Sequence, residues 1–212
     1  MRYQTALARA NDQRHDQDRA AAVAACRAYL DFVTTLEGKL TMGGKARTIA
    51  ERMLKSLTGP GITFAKPGLH HHWDNFDYGG KAFLARTLTG FHFGKHGLYL
   101  KRGAKGELTY DFRAPSGLRF KEVYLPGGPC GVDLAIDMAL PPGGRNSIEI
   151  SLNEGRTWTI AYENFQNPGD VVKFDLTRHV GGTSRFLLKF RVENTDREIL
   201  ALDSLTVMAD VE

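Results

Sequence analysis

Apolar and polar residues alternate along most of the chain after residue 73, and a two-residue period of this kind indicates β-strands with one buried face. The clearest run is 107–113, in which Leu108, Tyr110 and Phe112 share one face. About ten such runs follow one another at short spacing, which is typical of an antiparallel β-sandwich. Two stacked sheets bury these apolar faces against each other, so we predict a mainly β fold. The predicted strands are 82–88, 91–93, 98–101, 107–113, 121–125, 132–138, 147–152, 158–162, 171–175, 186–192 and 200–208.

The first 58 residues follow a helical period instead. Val23, Cys26, Leu30 and Val33 are spaced three and four apart, and a second apolar stripe begins at Ile49. These stripes are wider than two helices can bury against each other, so they need a third partner, either the β-domain or a domain outside this chain. The predicted organisation is a helical hairpin at 1–58, an irregular Gly- and Pro-containing linker at 59–72 and a β-sandwich at 73–212.

The last predicted strand changes phase. Leu200 and Leu202 share one phase, whereas Leu205 and Val207 take the other. A single strand absorbs one extra residue through a β-bulge, which redirects the side chains next to it. We therefore predict a bulge that presents Asp203 at an unusual position.

Residues 151–158 have the composition of a hairpin turn between two predicted strands. Gly155 tolerates a positive φ, and the side chain of Asn153 can bond to the backbone that follows it. The spacing resembles the Asp-box of sialidases and other secreted β-proteins, with Asn153 at the position of the aspartate. In those proteins the box is a structural hairpin whose tryptophan turns inward, which implies a core position for Trp158. A sialidase propeller needs several boxes, and one is present here.

Charge and composition narrow the function further. The net charge is +4, but residues 1–60 hold ten Lys and Arg against six acids, and the remainder is balanced. The β-rich part thus lacks the clustered cations of a nucleic-acid surface. Neither Cys26 nor Cys130 has a partner at metal-ligand or disulfide-framework spacing. No stretch is long and apolar enough to span a membrane, and the N-terminus does not read as a signal peptide. The chain is therefore either cytoplasmic or a part of a longer exported protein.

Five short motifs follow one another along the chain: WDNFD at 73–77, ELTYDFR at 107–113, FDLT at 174–177, FLLKFRV at 186–192 and ALDSLTV at 201–207. They resemble motifs of galactose-binding-like jelly rolls and carbohydrate-binding modules, and they occur in the same order. This resemblance covers about residues 73–210 and implies a jelly-roll β-sandwich that serves as a non-catalytic, polysaccharide-binding module of a secreted glycan-degrading enzyme, with that enzyme's catalytic domain as a partner. It also implies a structural Ca²⁺, to which Asp77, or Asp74, and Asp203 would contribute oxygens.

Sugar binding requires flat aromatic faces and polar groups that bond to hydroxyls. Aromatic residues and histidines are concentrated between residues 70 and 100, where the Phe-His-Phe run at 91–93 is the strongest candidate. The three consecutive histidines at 70–72 point alternately to opposite faces of an extended chain, so we interpret them as a solvated run and not as a metal site. The predicted ligand-binding residues are Trp73, Tyr78, Phe91, His92, Phe93, His96 and Tyr99, with Tyr124 and Tyr162 as further candidates.

Two alternatives remain open at this stage. The sandwich could be a structural accessory module that packs against the catalytic domain of its parent enzyme without binding sugar. It could also be a polysaccharide lyase, since histidine and tyrosine supply a base and an acid for β-elimination. The sequence contains no G-x-S-x-G, no H-E-x-x-H and no phosphate-binding glycine loop, so the residues favour a module without catalysis.

Overall fold

The computed structural model describes residues 19–36, 51, 54, 61–64, 66–74, 76, 84–94, 97–126, 145–163, 173–195, 199–202 and 204–212. Helix α1 spans Arg19–Leu36 and buries Cys26 and Tyr29 on one face. Glu51 and Leu54 are also helical. The predicted helical hairpin as a whole stays a prediction, because most of residues 37–60 lie outside the described part. No helix in the described ranges is both long and apolar enough to cross a membrane.

The described chain is mainly β, as the alternating pattern predicted. The strands are β1 Ile62–Thr63, β2 Gly68–Asp74, β3 Thr87–Thr89, β4 His92–Gly94, β5 Gly97–Lys101, β6 Lys105–Arg113, β7 Phe120–Pro126, β8 Arg145–Ser151, β9 Thr159–Glu163, β10 Lys173–Asp175, β11 Arg185–Glu193, β12 Ile199–Leu202 and β13 Leu205–Val211. A one-turn helix, α2, spans Thr177–Val180 between β10 and β11. The alternating run predicted at 132–138 lies outside the described residues.

The described strands form three sheets. Sheet A has the order β1-β6-β11-β8-β9, and β3 pairs with β6 beside β1. Sheet B has the order β10-β7-β13-β2, and the smaller sheet C has the order β12-β5-β4. Strand β1 is parallel to β6, and every other described pair is antiparallel.

Sheets A and B face each other across one hydrophobic core, which makes the fold a β-sandwich. Phe186 of sheet A meets Phe120 of sheet B edge to face, with ring centroids 5.0 Å apart. The inward residues of β6 are Leu108, Tyr110 and Phe112, all fully buried. Burying each such side chain contributes roughly 1.5–3 kcal/mol, so the alternation of the central strands determines which faces meet.

The segment predicted as an irregular linker contains structure. Strands β1 and β2 lie within or begin within 59–72, and β2 pairs with β13 along its whole length. Gly61 opens this segment at φ 121, and a Cβ there would stand 2.6 Å from the carbonyl oxygen of Asp111, so only glycine allows the approach to β6.

The interpretation of the three histidines as a solvated run was wrong. His72 is 8% exposed and packs against Tyr110 and Phe112. The His70 ring stacks on Phe64, and its Nε2 donates to the Lys66 carbonyl oxygen at 2.6 Å. His71, between them, is exposed. The run is a strand whose alternate histidines face the core, and imidazole rings fill that space much as other aromatic rings do.

The phase change near residue 203 was also misinterpreted as a bulge within one strand. Residues up to Leu202 belong to β12, which pairs with β5 in sheet C. From Leu205 onward the chain forms β13, which pairs with β2 and β7 in sheet B. Leu202 and Leu205 are both 1% exposed. They belong to different strands, and each strand has its own alternation of inward and outward residues, so both leucines can face the core.

Candidate functional site

The predicted binding residues are divided between two sheets. Trp73 lies on β2 in sheet B, whereas His92, Phe93 and Tyr99 lie on β4 and β5 in sheet C, with Phe91 just before β4. Tyr78, His96, Asp77 and Asp203 lie outside the described residues, so the structure does not place them.

In sheet C, His92 pairs directly with Tyr99. His92 is exposed and Tyr99 is half-buried, while Leu98 and Leu100 on the alternate positions are buried at 0% exposure. Phe91 packs against the core, and its ring occupies the space above Gly106, where a Cβ would lie 2.5 Å from the ring. Phe91 therefore supports the fold, and His92 with Tyr99 forms the solvent side of this hairpin.

Trp73 stands on the outer surface of sheet B. Along β2, His70 and His72 face the core, so Leu69, His71 and Trp73 face outward. Trp73 is 47% exposed and Leu69 is 61% exposed. These two residues make this surface unusually apolar for a solvated sheet face.

The same surface continues across the sheet to Tyr124. His71 pairs with Met208, Met208 with Tyr124, and Tyr124 with Asp175, so one row crosses β2, β13, β7 and β10. The Nζ of Lys173 lies 4.1 Å from the centre of the Tyr124 ring. We call this surface the Trp73 face; its members are Leu69, His71, Trp73, Tyr124, Lys173, Asp175 and Met208.

Charged groups border the aromatic part of the Trp73 face. Asp175 accepts a hydrogen bond from the backbone N–H of Thr177 at 2.9 Å. Hydrogen bonds from the Thr177 side chain and backbone, and then the charge of Lys173, lower the pKa of Asp175, so this carboxylate is ionised at neutral pH. The face thus combines a flat aromatic area with one fixed acceptor and one ammonium donor.

The outer surface of sheet A has a different character. Lys189 is 5% exposed and lies between Glu149, at 3.6 Å, and Glu107, at 3.8 Å. Arg191 contacts the same two carboxylates at 3.3 Å and 3.4 Å. These four charges cancel, and the pairs cross three adjacent strands. We call this group the charge ladder.

The hairpin at residues 151–158 places an aromatic ring over this ladder. The Ser151 Oγ accepts from the Gly155 N–H at 2.9 Å, and Asn153 Oδ1 accepts from the Thr157 N–H at 2.9 Å. Trp158 Nε1 donates to the Gly155 carbonyl oxygen at 3.0 Å, so the turn fixes the indole ring. The predicted hairpin is therefore present, with its strands β8 and β9 paired.

Trp158 does not point into the core, contrary to the expectation from the resemblance. Its ring centre lies 3.6 Å from Lys189 Nζ, on the outer surface of sheet A. A bulge at Ala161 shifts the register between β8 and β9. The sequence also contains a signal for the outer face of these strands, which the prediction did not use. The charged residues of this face alternate regularly with the core residues; they are Glu107, Glu149, Lys189 and Arg191.

No protein-family model matches this sequence, and no curated protein matches it significantly. Xylanase10C of Cellvibrio japonicus in complex with xylopentaose is similar in structure over 71% of this chain, with a TM-score of 0.34 and 9% identity; the chain spans 28% of that protein. The carbohydrate-binding module TmCBM61, in complex with β-1,4-galactotriose, is similar over 70% of this chain and 94% of its own, with a TM-score of 0.21 and 13% identity.

A third similar structure is a carbohydrate-binding module of the β-sandwich superfamily, with a TM-score of 0.18 and 15% identity over 69% of this chain and 56% of its own. Two of these three structures are carbohydrate-binding modules. The TM-scores are low, and the assignment of a β-sandwich rests on the strand pairing and the shared core of this chain.

Proposed function

We propose that this protein is a non-catalytic carbohydrate-binding module whose sugar-binding surface is the Trp73 face. The observation that supports this proposal is the 47% exposure of Trp73 on a sheet surface that also carries Tyr124. Exposing an indole ring to water is unfavourable, and a large aromatic side chain on a solvated strand face is typical of a binding surface.

The chemistry of the Trp73 face suits a saccharide. A pyranose ring has an apolar C–H side that packs on an aromatic ring, and its hydroxyls both donate and accept hydrogen bonds. Trp73 and Tyr124 are two strands apart, and Trp73 is two residues further along, which separates their Cα atoms by roughly 12 Å at ordinary sheet spacing. This distance exceeds the width of one sugar ring, so we expect an oligosaccharide, with Lys173 and Asp175 bonding to hydroxyls at one end.

Affinity electrophoresis through gels that contain neutral or acidic polysaccharides tests the proposal. We expect retention by at least one polysaccharide, and Trp73→Ala to lose about 2 kcal/mol of binding or more, which is about a 30-fold weaker affinity. Leu152→Ala is the matched control, because Leu152 is 55% exposed but belongs to the hairpin of sheet A.

Two results would contradict the proposal. If no polysaccharide retards the protein, the exposed Leu69 and Trp73 favour the alternative of an accessory module that packs against another protein domain. If retention occurs but Trp73→Ala behaves like Leu152→Ala, the sugar binds elsewhere. A thermal melt of each variant confirms that loss of retention is not loss of folding.

The wider role implied by the resemblance is part of the same proposal. We propose a jelly-roll module of an extracellular or periplasmic glycan-degrading enzyme, which holds a structural Ca²⁺ through Asp77, or Asp74, and Asp203. The pairing of Asp74 with Leu205 supports the calcium site, because it brings the backbone at 74 beside the start of β13. A melting temperature that EDTA leaves unchanged would exclude a stabilising ion.

A further inference from the structure

Two arginines and two carboxylates are joined by ion pairs at one end of the outer surface of sheet A, and two more arginines lie close enough for their charges to act on Glu154. Arg113 and Arg185 pair directly across β6 and β11. Arg86 precedes β3 and lies beside β6, since its backbone N–H donates to the Thr109 carbonyl oxygen at 2.6 Å. Arg156 is part of the hairpin turn. Together with Asp111 and Glu154 they form what we call the arginine cluster.

Asp111 is a permanent member of the cluster. Its carboxylate accepts from Arg185 Nε at 2.9 Å and from Arg185 Nη2 at 2.8 Å, a bidentate pair. The Nη2 of Arg113 adds a third hydrogen bond at 3.0 Å. The Asp111 side chain is 8% exposed, so it is enclosed by these partners.

Glu154 is held differently. Its side chain is 59% exposed and forms one ion pair in the described structure, with Arg185 Nη1. The hydrogen bond and charge of Arg185, and then the charges of Arg86 and Arg156, lower the pKa of Glu154. Glu154 is therefore an ionised, solvent-accessible carboxylate that several guanidinium groups attract but that only one binds.

The charges of the cluster do not balance. The cluster contains four guanidinium groups and two carboxylates, which leaves a formal charge of +2 among the described members. Within the described part of the chain, the side chains of Arg86 and Arg156 form no ion pair. Guanidinium groups bind planar carboxylates and sulfate groups through paired N–H donors, so an external anion would find donors and uncompensated charge together.

We propose that the arginine cluster is an anion-binding site for a carboxylate or sulfate group, and that Glu154 occupies the site when the ligand is absent. The ligand group displaces Glu154 from Arg185 Nη1 and is held by Arg185, Arg86 and Arg156, while Asp111 keeps Arg185 and Arg113 in position. That a polysaccharide carries this group rests on the proposed function; the binding of the anion itself does not. The cluster lies on sheet A and the Trp73 face on sheet B, so the two sites can be tested separately.

The first experiment uses small anions. Binding of sodium sulfate and of sodium galacturonate is measured by the shift in melting temperature, against sodium chloride at equal ionic strength. Glu154→Gln removes the competing carboxylate and keeps the shape, so we expect the affinity for either anion to rise about threefold. Arg86→Gln combined with Arg156→Gln should lower the affinity about tenfold.

Two charge-matched controls are available on the same sheet. Glu163→Gln removes an exposed carboxylate from the end of β9, away from the cluster. Arg145→Gln removes an exposed guanidinium opposite Glu193, and Glu193 is roughly 27 Å along β11 from Arg185 at ordinary strand rise. Effects of the cluster variants that equal those of these controls would reduce the site to general electrostatics and overturn the proposal.

The second experiment identifies the source of the anion. Gels with polygalacturonate, dextran sulfate and uncharged dextran are compared for the parent protein, Trp73→Ala, the Arg86/Arg156 double variant and the Arg145→Gln control. Stronger retention by one or both charged polymers, lost in the double variant and not in the Arg145→Gln control, supports the site and distinguishes carboxylate from sulfate. Equal retention by all three polymers would overturn the proposed anion-binding site. Loss of retention in Trp73→Ala alone would concern the Trp73 face and not the arginine cluster.

Discussion

The charge ladder allows a sharp prediction, because Lys189 is a nearly buried cation with known neighbours. Its Nζ lies 3.6 Å from the centre of the Trp158 ring and 3.6 Å from Glu149, which is itself 4% exposed. Lys189→Met retains the length of the side chain and removes the charge. Glu149 keeps Arg191 at 3.3 Å and the Ser147 hydroxyl at 2.8 Å, so the carboxylate is left only partly compensated.

The expected cost has two parts. A desolvated cation–π contact contributes about 2 kcal/mol, and removing one partner of a buried ion pair costs about 3–5 kcal/mol when nothing replaces it. Since Arg191 remains and Met recovers apolar packing, we expect a net loss of about 3 kcal/mol in the free energy of unfolding. For a chain of this size the loss corresponds to a fall of roughly 6–12 °C in melting temperature.

Urea unfolding followed by far-UV circular dichroism measures this free energy, provided the transition is two-state and the m-value is unchanged. The double variant Lys189→Met, Glu149→Gln should lose less than the sum of the single variants, because it leaves no buried charge unpaired. Arg191→Met is the control: Arg191 contacts the same carboxylates, but its side chain is 53% exposed and should contribute under about 1 kcal/mol. Equal costs for Lys189→Met and Arg191→Met would refute the assignment of Lys189 as the buried centre of the ladder.

Two further predictions concern the hairpin and a titrating carboxylate. Ser151 is 2% exposed and its hydroxyl accepts from the Gly155 N–H, so Ser151→Ala should lower the free energy of unfolding by about 1–3 kcal/mol in a denaturant titration; a loss no larger than that of the exposed Ser116→Ala would contradict this role. The folded-state pKa of Asp175 is lowered by Thr177, so its contribution is present above the unfolded pKa of about 3.9 and is lost as the pH falls through the folded pKa. Asp175→Asn should therefore flatten the decline in stability below about pH 4, and an unchanged slope would argue against this linkage.

The sequence predicted the parts of the fold that depend on local alternation. The inward residues of β6, β8 and β11 follow a strict two-residue period, and each of these strands is present close to its predicted limits. Strand β2 was missed because its alternate core residues, His70 and His72, are polar by type yet pack as aromatic rings. A two-residue period is visible only when each residue is classified correctly as apolar or polar. A histidine is usually classified as polar, but one that packs against aromatic rings occupies a core position.

The local pattern of apolar and polar residues does not determine which strands pair or to which sheet a strand belongs. The phase change between Leu202 and Leu205 is compatible with a bulge or with a change of sheet, and only the partners of each strand distinguish the two. For the candidate site, Trp73 as a binding residue stays a prediction. Trp158 was interpreted as a core residue, because the position of its ring depends on Lys189, which is about 30 residues away in sequence.

The position of β13 between β7 and β2 has a consequence for how this chain folds. Residues 68–74 pair with residues 205–211, so the ribosome adds more than about 130 residues after β2 before the partner strand of β2 is complete. At ordinary translation rates this delay is on the order of ten seconds, during which the edge of β2 that pairs with β13 has no partner. Sheet B is therefore the last of the described sheets to be completed as the chain is synthesised.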